Sequence, residues 1–367
     1  MTTANGISVA ADELAALVAR LFAAAGVPEG SADTVAAALV DADLEGQSSH
    51  GVMLVDMYLD RIRHKSVSLE SRGRIVSDRK GAVVLDARHA LGHLVGDQAM
   101  SLAVERARRH AAGVVAVRHG FHFGTARRFA LQAAHADCIG IAMCNTRPLM
   151  PAPGGAEPLV GNNPIAIAIP ADGPIPIVLD MATSEAAMGK IRMAAKGGQA
   201  IPDNWAVKAD GSPTADPAAA ISGMLLPSGG PKGFGLALVI DLMCGLLSGG
   251  ASGAAVRPLY GDPAVPYDSS HLFIAIDLAH FGDAAAMRAK AAAAATRIRQ
   301  GKTAPGAKQL FAPGEPEWHK RQEATEQVTL AAPVAHMLVQ LARDLGVPPD
   351  ALPENLGSTK EIGHAQA

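Results

Sequence analysis

The segment SSHG (48–51) sets a histidine, His50, directly after a serine, Ser49. An imidazole gives and takes protons near neutral pH, and a hydroxyl beside it can fix the ring tautomer. The same two residues also suit a helix-capping serine next to an incidental surface histidine. The spacing alone leaves both interpretations open.

A second candidate, His122, lies in RHGFHFGTARR (118–128), three residues after His119. The two histidines could be metal ligands. However, no nearby cysteine, glutamate or third histidine completes a zinc pattern. The segment therefore predicts no metal site.

The same segment could instead bind an anion. Gly120, Gly124 and Thr125 precede a predicted helix, whose free N–H groups and dipole favour negative charge. Arg127 and Arg128 could assist, for example at a 2′-phosphate, or could be solvated helix charges.

A carboxylate and a lysine complete the set of candidates. Asp180 ends the apolar run IVLD, where it could orient a histidine, bind a ribose hydroxyl or cap the following helix. Lys232 lies in the loop PSGGPKG, where it is either an anion contact or a helix start.

These residues must be positioned by a helical beginning and a mixed core. An apolar stripe predicts a helix over 11–26, Ser31 is placed to cap a second helix that Gly46 closes, and a third is predicted over about 52–63. Strands are predicted within GRIVSDRKGAVVLDA (73–87) and at 114–117, 139–143, 164–170, 175–182 and 271–278, and helices near 94–111, 126–136 and 234–249.

Composition restricts the class of protein. The 367 residues carry a net charge of −3 without a block of like charge, which argues against nucleic acid as a partner. Three unpaired cysteines and an N-terminus without a secretory pattern predict a cytoplasmic protein. The apolar run 234–249 contains Asp241 and is shorter than the ~20 residues of a membrane helix, so we expect a buried helix and no membrane contact. The strands do not alternate with single helices, and G-x-G-x-x-G and Walker motifs are absent, so a Rossmann fold is not expected.

Several long segments together resemble the malate/L-lactate dehydrogenase family of the second type, which is distinct from the Rossmann-fold enzymes. They are SHGVMLVDMYLDRI (49–62), HFGTARRFALQAA (122–134), CNTRPLMPAPGGAEPLVGNNPIAIAIP (144–170), VLDMATSEAAMGKI (178–191), IPDNWAVKADGSPTADP (201–217), LLPSGGPKGFGLAL (225–238) and PGEPE (313–317). The family includes ureidoglycolate and sulfolactate dehydrogenases, diketogulonate reductase and piperideine-2-carboxylate reductase.

The resemblance implies an α+β, non-Rossmann NAD(P)-binding fold with a largely antiparallel sheet. It implies a helical N-terminal part (1–75), a mixed core with the cofactor and substrate cleft (76–300) and a C-terminal segment (301–367) that packs back on the helical part. It also implies a homodimer that binds NAD or NADP and a small-molecule substrate.

The resemblance further implies roles for individual residues. His50 matches the proton donor or acceptor, Ser49 and Asp180 match its supporting partners, and His122 matches a histidine beside the nicotinamide. The matching cofactor contacts are His122, Phe123, Gly124, Thr125, Thr146, Asp180, Met181, Ala182, Lys232, Gly314 and Glu315.

One position departs from the family. Many members have an arginine that binds the substrate carboxylate five residues after the serine of SHG, where this chain has Leu54. Arg147 is our candidate replacement, with His50 as the second substrate contact. The expected activity is hydride transfer between nicotinamide and a small 2-oxo or 2-hydroxy acid. The alternatives are reduction of a cyclic imino acid and non-catalytic binding of a small molecule.

Overall fold

The computed structural model describes residues 6–357 and has an α+β fold. Two short 3₁₀ turns, Ser48–His50 and Val52–Leu54, precede the third α-helix. The α-helices are α1 (Ala11–Ala24), α2 (Glu29–Leu44), α3 (Val55–Arg63), α4 (Gly92–His110), α5 (Ala126–Ala134), α6 (Met188–Lys196), α7 (Pro217–Ile221), α8 (Pro231–Ser248), α9 (Ala284–Arg299), α10 (Glu315–Ala324), α11 (Ala332–Asp344) and α12 (Glu354–Gly357).

The strands form one large sheet and three small ones. They are β1 (Ile7–Ala10), β2 (Arg74–Arg79), β3 (Ala82–Asp86), β4 (Ala112–Gly120), β5 (Cys138–Cys144), β6 (Met150–Pro151), β7 (Pro158–Val160), β8 (Ile165–Ile169), β9 (Ile177–Met181), β10 (Ala206–Val207), β11 (Met224–Leu225), β12 (Ser269–Asp277) and β13 (Gln327–Leu330).

The central sheet has seven strands in the order β2-β3-β4-β12-β5-β8-β9. Each neighbouring pair is antiparallel except β3–β4, which α4 connects as a parallel crossover. The prediction of a largely antiparallel, non-Rossmann core is therefore confirmed.

The two ends of the described chain pack together. β1 pairs with β13, with Val9 opposite Val328. The stripe of α1 that includes Leu14 and Leu17 is fully buried in one cluster with Leu338 of α11 and with the 3₁₀ turn before α3. This cluster forms the base that carries the His50 segment.

Helix α8 departs from the prediction of a buried helix. One side packs on the central sheet through Ile240 and Cys244, and Asp241 within it accepts a hydrogen bond from Asn145. Leu246 on the other side is 73% exposed. A sheet face covers only one flank of a helix, whereas α8 is apolar on every side. Among residues 6–357, α8 is the helix long and apolar enough to cross a membrane by length and composition alone.

Two local predictions near the candidate site were wrong. Helix α2 begins at Glu29, because Pro28 supplies the N-cap backbone, and the Ser31 hydroxyl instead donates to that of Ser71 at 2.7 Å. Strand β4 continues through His119 to Gly120, paired with β12, so the loop that carries His122 is only 121–125.

Candidate active site

The loop 121–125 holds His122 between β4 and α5 in a conformation that requires glycine. Gly124 has φ +78°, and a Cβ atom there would lie 2.6 Å from Nε2 of the buried His93. A side chain at this position would meet both backbone strain and a steric clash. Gly124 thus fixes the loop against α4, the helix that carries His93.

His50 is fixed from the other side by the end of α2. Its Nδ1 atom lies 3.0 Å from the Ser49 hydroxyl. The Asp43 carboxylate accepts a hydrogen bond from the N–H of Val52 at 2.8 Å, and Gly51 leaves the space that this carboxylate occupies. Burial raises the pKa of Asp43 to about 6. The sequence-predicted contact between Ser49 and His50 is present.

The two predicted histidines face each other. The ring centroids of His50 and His122 are 5.6 Å apart, with 19° between the ring planes. Burial lowers the pKa of His50. The pKa of His122 is lowered further, first by burial and then by the neighbouring imidazoles of His50, His93 and His271. Two imidazolium rings so close would repel each other, so the pair holds at most one proton near neutral pH, and His50 holds it more readily.

Tyr58 is a member of this site that the sequence reasoning missed. Its hydroxyl lies 2.6 Å from Nδ1 of His122, and its side chain is 0% exposed. Burial raises the pKa of Tyr58 well above its ordinary value, so the hydroxyl keeps its proton. The available signal was a tyrosine on the apolar face of a helix, because a buried phenol needs a hydrogen-bond partner.

Asp180, at the end of β9, lies beside α5. Its carboxylate accepts a hydrogen bond from the backbone N–H of Arg127, in the first turn of that helix. Desolvation by the surrounding protein raises the pKa of the Asp180 carboxyl to about 6, although the residue is exposed to solvent on one side. The Asp180 carboxylate therefore lies at the helix N-terminus that the sequence predicts as a possible anion site. Arg127 is the group of opposite charge that acts on the Asp180 carboxylate, and among the described residues no hydrogen bond joins Asp180 to His50.

A cleft of about 260 Å³ lies between the segment after α2, the start of α5, the end of β9 and the segment before α10. Its walls include Gln47, three residues before His50, and Arg127, five residues after His122, together with Asp180 and Gly314. The segment that carries Gly314 is joined to the end of the sheet, since the N–H of Val178 donates to the carbonyl of Pro313 at 2.9 Å. The cleft is therefore bounded by residues that lie close in sequence to both histidines.

Thr146 is held rigidly after β5. Its N–H donates to Oδ1 of Asn163 at 2.8 Å, and its hydroxyl donates to Oδ1 of Asn162 at 2.9 Å. Arg147 follows with an exposed side chain, whose charge acts on the buried Tyr267. The Tyr267 ring lies 6.2 Å from that of Phe121, the neighbour of His122.

Four further residues that the sequence predicts as cofactor contacts are partly or fully exposed. Met181 and Ala182 are partly exposed after Asp180, Thr125 is partly exposed as the N-cap of α5, and Lys232 is exposed in the first turn of α8.

Phe123 and Glu315 point away from solvent. The Phe123 ring lies in the sheet core, 4.8 Å from that of His271. The Glu315 carboxylate pairs with Arg299 and accepts the N–H of Ala312. Because both side chains are already engaged, contacts from these positions to a bound molecule would come from the backbone.

His119, at the end of β4, belongs to a different cluster. His119 lies 2.9 Å from the Asp86 carboxylate, and its ring packs beside His89. Within the described part of the chain, no group of three or more His, Cys, Asp or Glu side chains is arranged to hold a metal ion. His119 and His122 point to different partners.

The cleft and its neighbourhood have the chemistry to hold a dinucleotide. Nε of Arg127 and the hydroxyl of Thr183 are buried without a hydrogen-bond partner among residues 6–357. Buried donors of this kind are normally satisfied, so they are available to a bound molecule. The carboxylate of Asp180 offers an acceptor for ribose hydroxyls. The donor and acceptor set therefore fits NAD or NADP.

Comparison with known proteins identifies the family. The profile described as malate/L-lactate dehydrogenase matches residues 9–339. The chain belongs to this family. A malate dehydrogenase of Pyrococcus abyssi is 36% identical over 85% of this chain and 87% of its own length. A ureidoglycolate dehydrogenase (NAD(+)) of Escherichia coli O157:H7 is 33% identical over 91% of this chain and 95% of its own length.

Two solved structures of the family extend the comparison to the fold. The sulfolactate dehydrogenase of Methanocaldococcus jannaschii superposes with a TM-score of 0.87 at 33% identity, covering 92% of this chain and 97% of that one. The Δ1-piperideine-2-carboxylate reductase of Pseudomonas syringae pvar. tomato superposes with a TM-score of 0.81 at 26% identity, covering 91% and 99%. The resemblance inferred from the sequence motifs is confirmed.

Proposed function

We propose that this protein transfers a hydride between nicotinamide and a small 2-oxo or 2-hydroxy carboxylic acid, with His50 as the proton donor and acceptor. As a member of a dehydrogenase family, it is an NAD(P)-dependent oxidoreductase. The observation that carries the proposal is the stacked pair of imidazoles, of which His50 retains a proton more readily than His122.

Each residue of the site has a separate role in the proposed reaction. Ser49 fixes the ring of His50, which gives its proton to the substrate oxygen in reduction and takes it back in oxidation. Tyr58 donates its hydroxyl proton to Nδ1 of a neutral His122, which leaves the ring proton on Nε2, facing the reacting groups. The nicotinamide supplies or accepts the hydride when bound.

The cofactor would be held along the cleft and the neighbouring loops. We assign this role to Thr146, to the segment from Asp180 to Ala182, to Lys232, to the 314–316 backbone and to the loop 122–125. Arg127 and Arg128 are engaged in ion pairs with Glu45 and Asp97, so neither is a free cation for a 2′-phosphate. Both NAD and NADP remain candidates.

A direct assay tests the activity. Purified protein is mixed with NADH or NADPH and a panel of 2-oxo acids and cyclic imines, and absorbance at 340 nm is followed. We expect oxidation with at least one 2-oxo acid. Turnover of cyclic imines alone would favour the second candidate, imino-acid reduction, which the similarity to the piperideine-2-carboxylate reductase supports. Cofactor binding without any turnover would indicate a non-catalytic binding protein.

Arg147 is our candidate for the cation that binds the substrate carboxylate. Leu54, at the position of the family arginine, is buried in the helical core and carries no charge. A charge-assisted hydrogen bond contributes about 1.5–3 kcal/mol. We therefore expect Arg147→Ala to raise KM for a 2-oxo acid at least about tenfold. The control is Arg257→Ala, which removes another exposed arginine. An unchanged KM in Arg147→Ala would exclude this role.

We propose a homodimer formed through the exposed face of α8. Side chains along this face are apolar and 37% to 73% exposed: Leu236, Leu238, Val239, Leu242, Leu246 and Leu247. An apolar surface of this extent is typical of an interface. Sedimentation equilibrium should give twice the chain mass of 37.5 kDa, and Leu246→Glu with Val239→Lys should give monomers. A monomeric wild type would exclude the dimer, and binding to lipid vesicles would identify a membrane as the partner instead.

A cytoplasmic location is also proposed. Cys138, Cys144 and Cys244 are buried free thiols, which is the usual state of cysteine in a reducing compartment. Detection of the full chain in a fractionated cell lysate would test this location, and recovery outside the cytoplasmic fraction would exclude it.

A further inference from the structure

A buried ion pair joins the two segments that carry the histidines. Nη1 of Arg127 lies 3.2 Å from Oε2 of Glu45, and the side chains are 3% and 15% exposed. Glu45 is the C-cap of α2, five residues before His50. Arg127 is in the first turn of α5, five residues after His122. One contact thus connects the supports of both imidazoles.

The same arginine also holds Asp180. Its backbone N–H donates to the Asp180 carboxylate, and its guanidinium attracts that carboxylate. Arg127 lines the cleft, and its Nε has no partner among the described residues. Three walls of the site, namely the end of α2, the start of α5 and the end of β9, therefore converge on this side chain.

We propose that the Glu45–Arg127 pair is a positioning element of the active site, which fixes the distance between the His50 and His122 segments and orients Asp180 toward the cofactor. The pair acts through other residues and touches no reacting atom. This inference rests on the proposed function for the role of the histidines and of Asp180. It gives a positioning role to Glu45 and Arg127, which the sequence motifs did not indicate.

The charges around Asp180 provide a specific test. The groups that face it are Arg127 of α5, Glu45 at the end of α2, Glu317 of α10 and the Cys144 thiol of β5. Arg127 lowers the pKa of Asp180, whereas Glu45 and Glu317 raise it. The two members of the pair therefore act on Asp180 in opposite directions. These opposite shifts report that both charges lie close to Asp180, and the loss of kcat in the same variants reports the positioning role.

The variants are Glu45→Gln, Arg127→Met and the double variant, each in the full chain. Selective ¹³C labelling of aspartate, with assignment by Asp180→Asn, follows the titration of the Asp180 carboxyl by NMR without cofactor. We expect a higher midpoint pH in Arg127→Met, because a favourable charge is lost, and a lower midpoint in Glu45→Gln, because a like charge is lost. Shifts in the same direction, or no shift in either variant, would overturn the proposal.

Kinetics supply the second measurement. We expect each single variant to lower kcat by about tenfold or more, because small displacements of reacting groups can cost up to ~10²-fold. The double variant should lose less than the product of the two single losses, since the partners are coupled. Unchanged kcat in both single variants would contradict a positioning role.

Two controls separate the possible failures. Arg106 of α4 forms an ion pair with Asp78 of β2. Arg106→Met breaks this pair and should change neither the Asp180 titration nor kcat. If Arg127→Met does not fold, the kcat of Glu45→Gln, taken together with its Asp180 titration, still decides the proposal. A wild type that binds neither NADH nor NADPH would refute the proposed function, while the NMR titration would still report on the pair.

Discussion

His50→Ala should lower kcat by at least about a hundredfold, while NADH or NADPH still binds. In the proposed reaction the imidazole transfers the proton that accompanies hydride transfer, and a positioned acid–base group typically contributes about 10²–10⁴ in rate. The cofactor cleft is lined by other residues, so dinucleotide affinity should remain near the wild-type value. Steady-state turnover with a 2-oxo acid, combined with a fluorescence titration of NADH, separates the two effects.

The matched control is His119→Asn. This histidine lies close in sequence to His122, but it pairs with Asp86 outside the site, and asparagine tolerates its φ of +52°. The control should keep near-normal turnover. A His50→Ala enzyme with normal kcat would instead transfer the acid–base role to His122.

The direction of the reaction should set the pH dependence of the wild type. Burial holds the pKa of His50 below 6.5. Oxidation needs the neutral ring, so its rate should be full above this pKa and fall as the pH is lowered through it. Reduction needs the protonated ring, so its rate should rise as the pH is lowered through the same pKa. Asp180, with a pKa of about 6, titrates nearby, and the His50→Ala profile shows which limb belongs to His50.

Tyr58→Phe should lower kcat about tenfold or more with little change in KM. The substitution keeps the ring packing and removes the hydroxyl 2.6 Å from Nδ1 of His122. A buried acceptor left without its partner costs about 1–3 kcal/mol, and 1.36 kcal/mol in the barrier corresponds to about tenfold in rate. The loss falls on kcat because the hydroxyl fixes the tautomer of His122 and does not reach the substrate.

Thermal unfolding of Tyr58→Phe should be recorded beside the kinetics. The control is Tyr260→Phe, which removes the hydroxyl of an exposed tyrosine that stacks on Arg192, and should leave kcat unchanged. A Tyr58→Phe variant with wild-type kcat at every pH would show that His122 needs no partner to hold its tautomer.

The family and the fold could be predicted from the sequence because both depend on long local motifs. Segments such as SHGVMLVDMYLDRI and HFGTARRFALQAA identify the family. The apolar stripe of α1 and the alternation of the strands follow from local periodicity, which the chain contains in full. The candidate histidines were also visible as residue types, but their spacing left other interpretations open, and the resemblance to the family supplied their expected roles.

The ends of helices and strands were harder to predict from the sequence. Ser31 has the chemistry of an N-cap, but Pro28 begins the helix earlier, and the pairing of β4 with β12 extends that strand past His119. Tertiary pairing overrides local preference at such positions. The apolar composition of α8 predicted burial, yet composition does not state how many neighbours cover a helix.

The sequence by itself therefore determined the family, the largely antiparallel core and the types of the reacting side chains. Only the tertiary structure decided which residues meet. Tyr58 of α3 contacts His122 in the loop after β4, Arg127 contacts both Glu45 and Asp180, and His119 pairs with Asp86. Such contacts link residues up to 82 positions apart, as between Glu45 and Arg127. These contacts depend on how the whole chain folds, and no local pattern of residues predicts them.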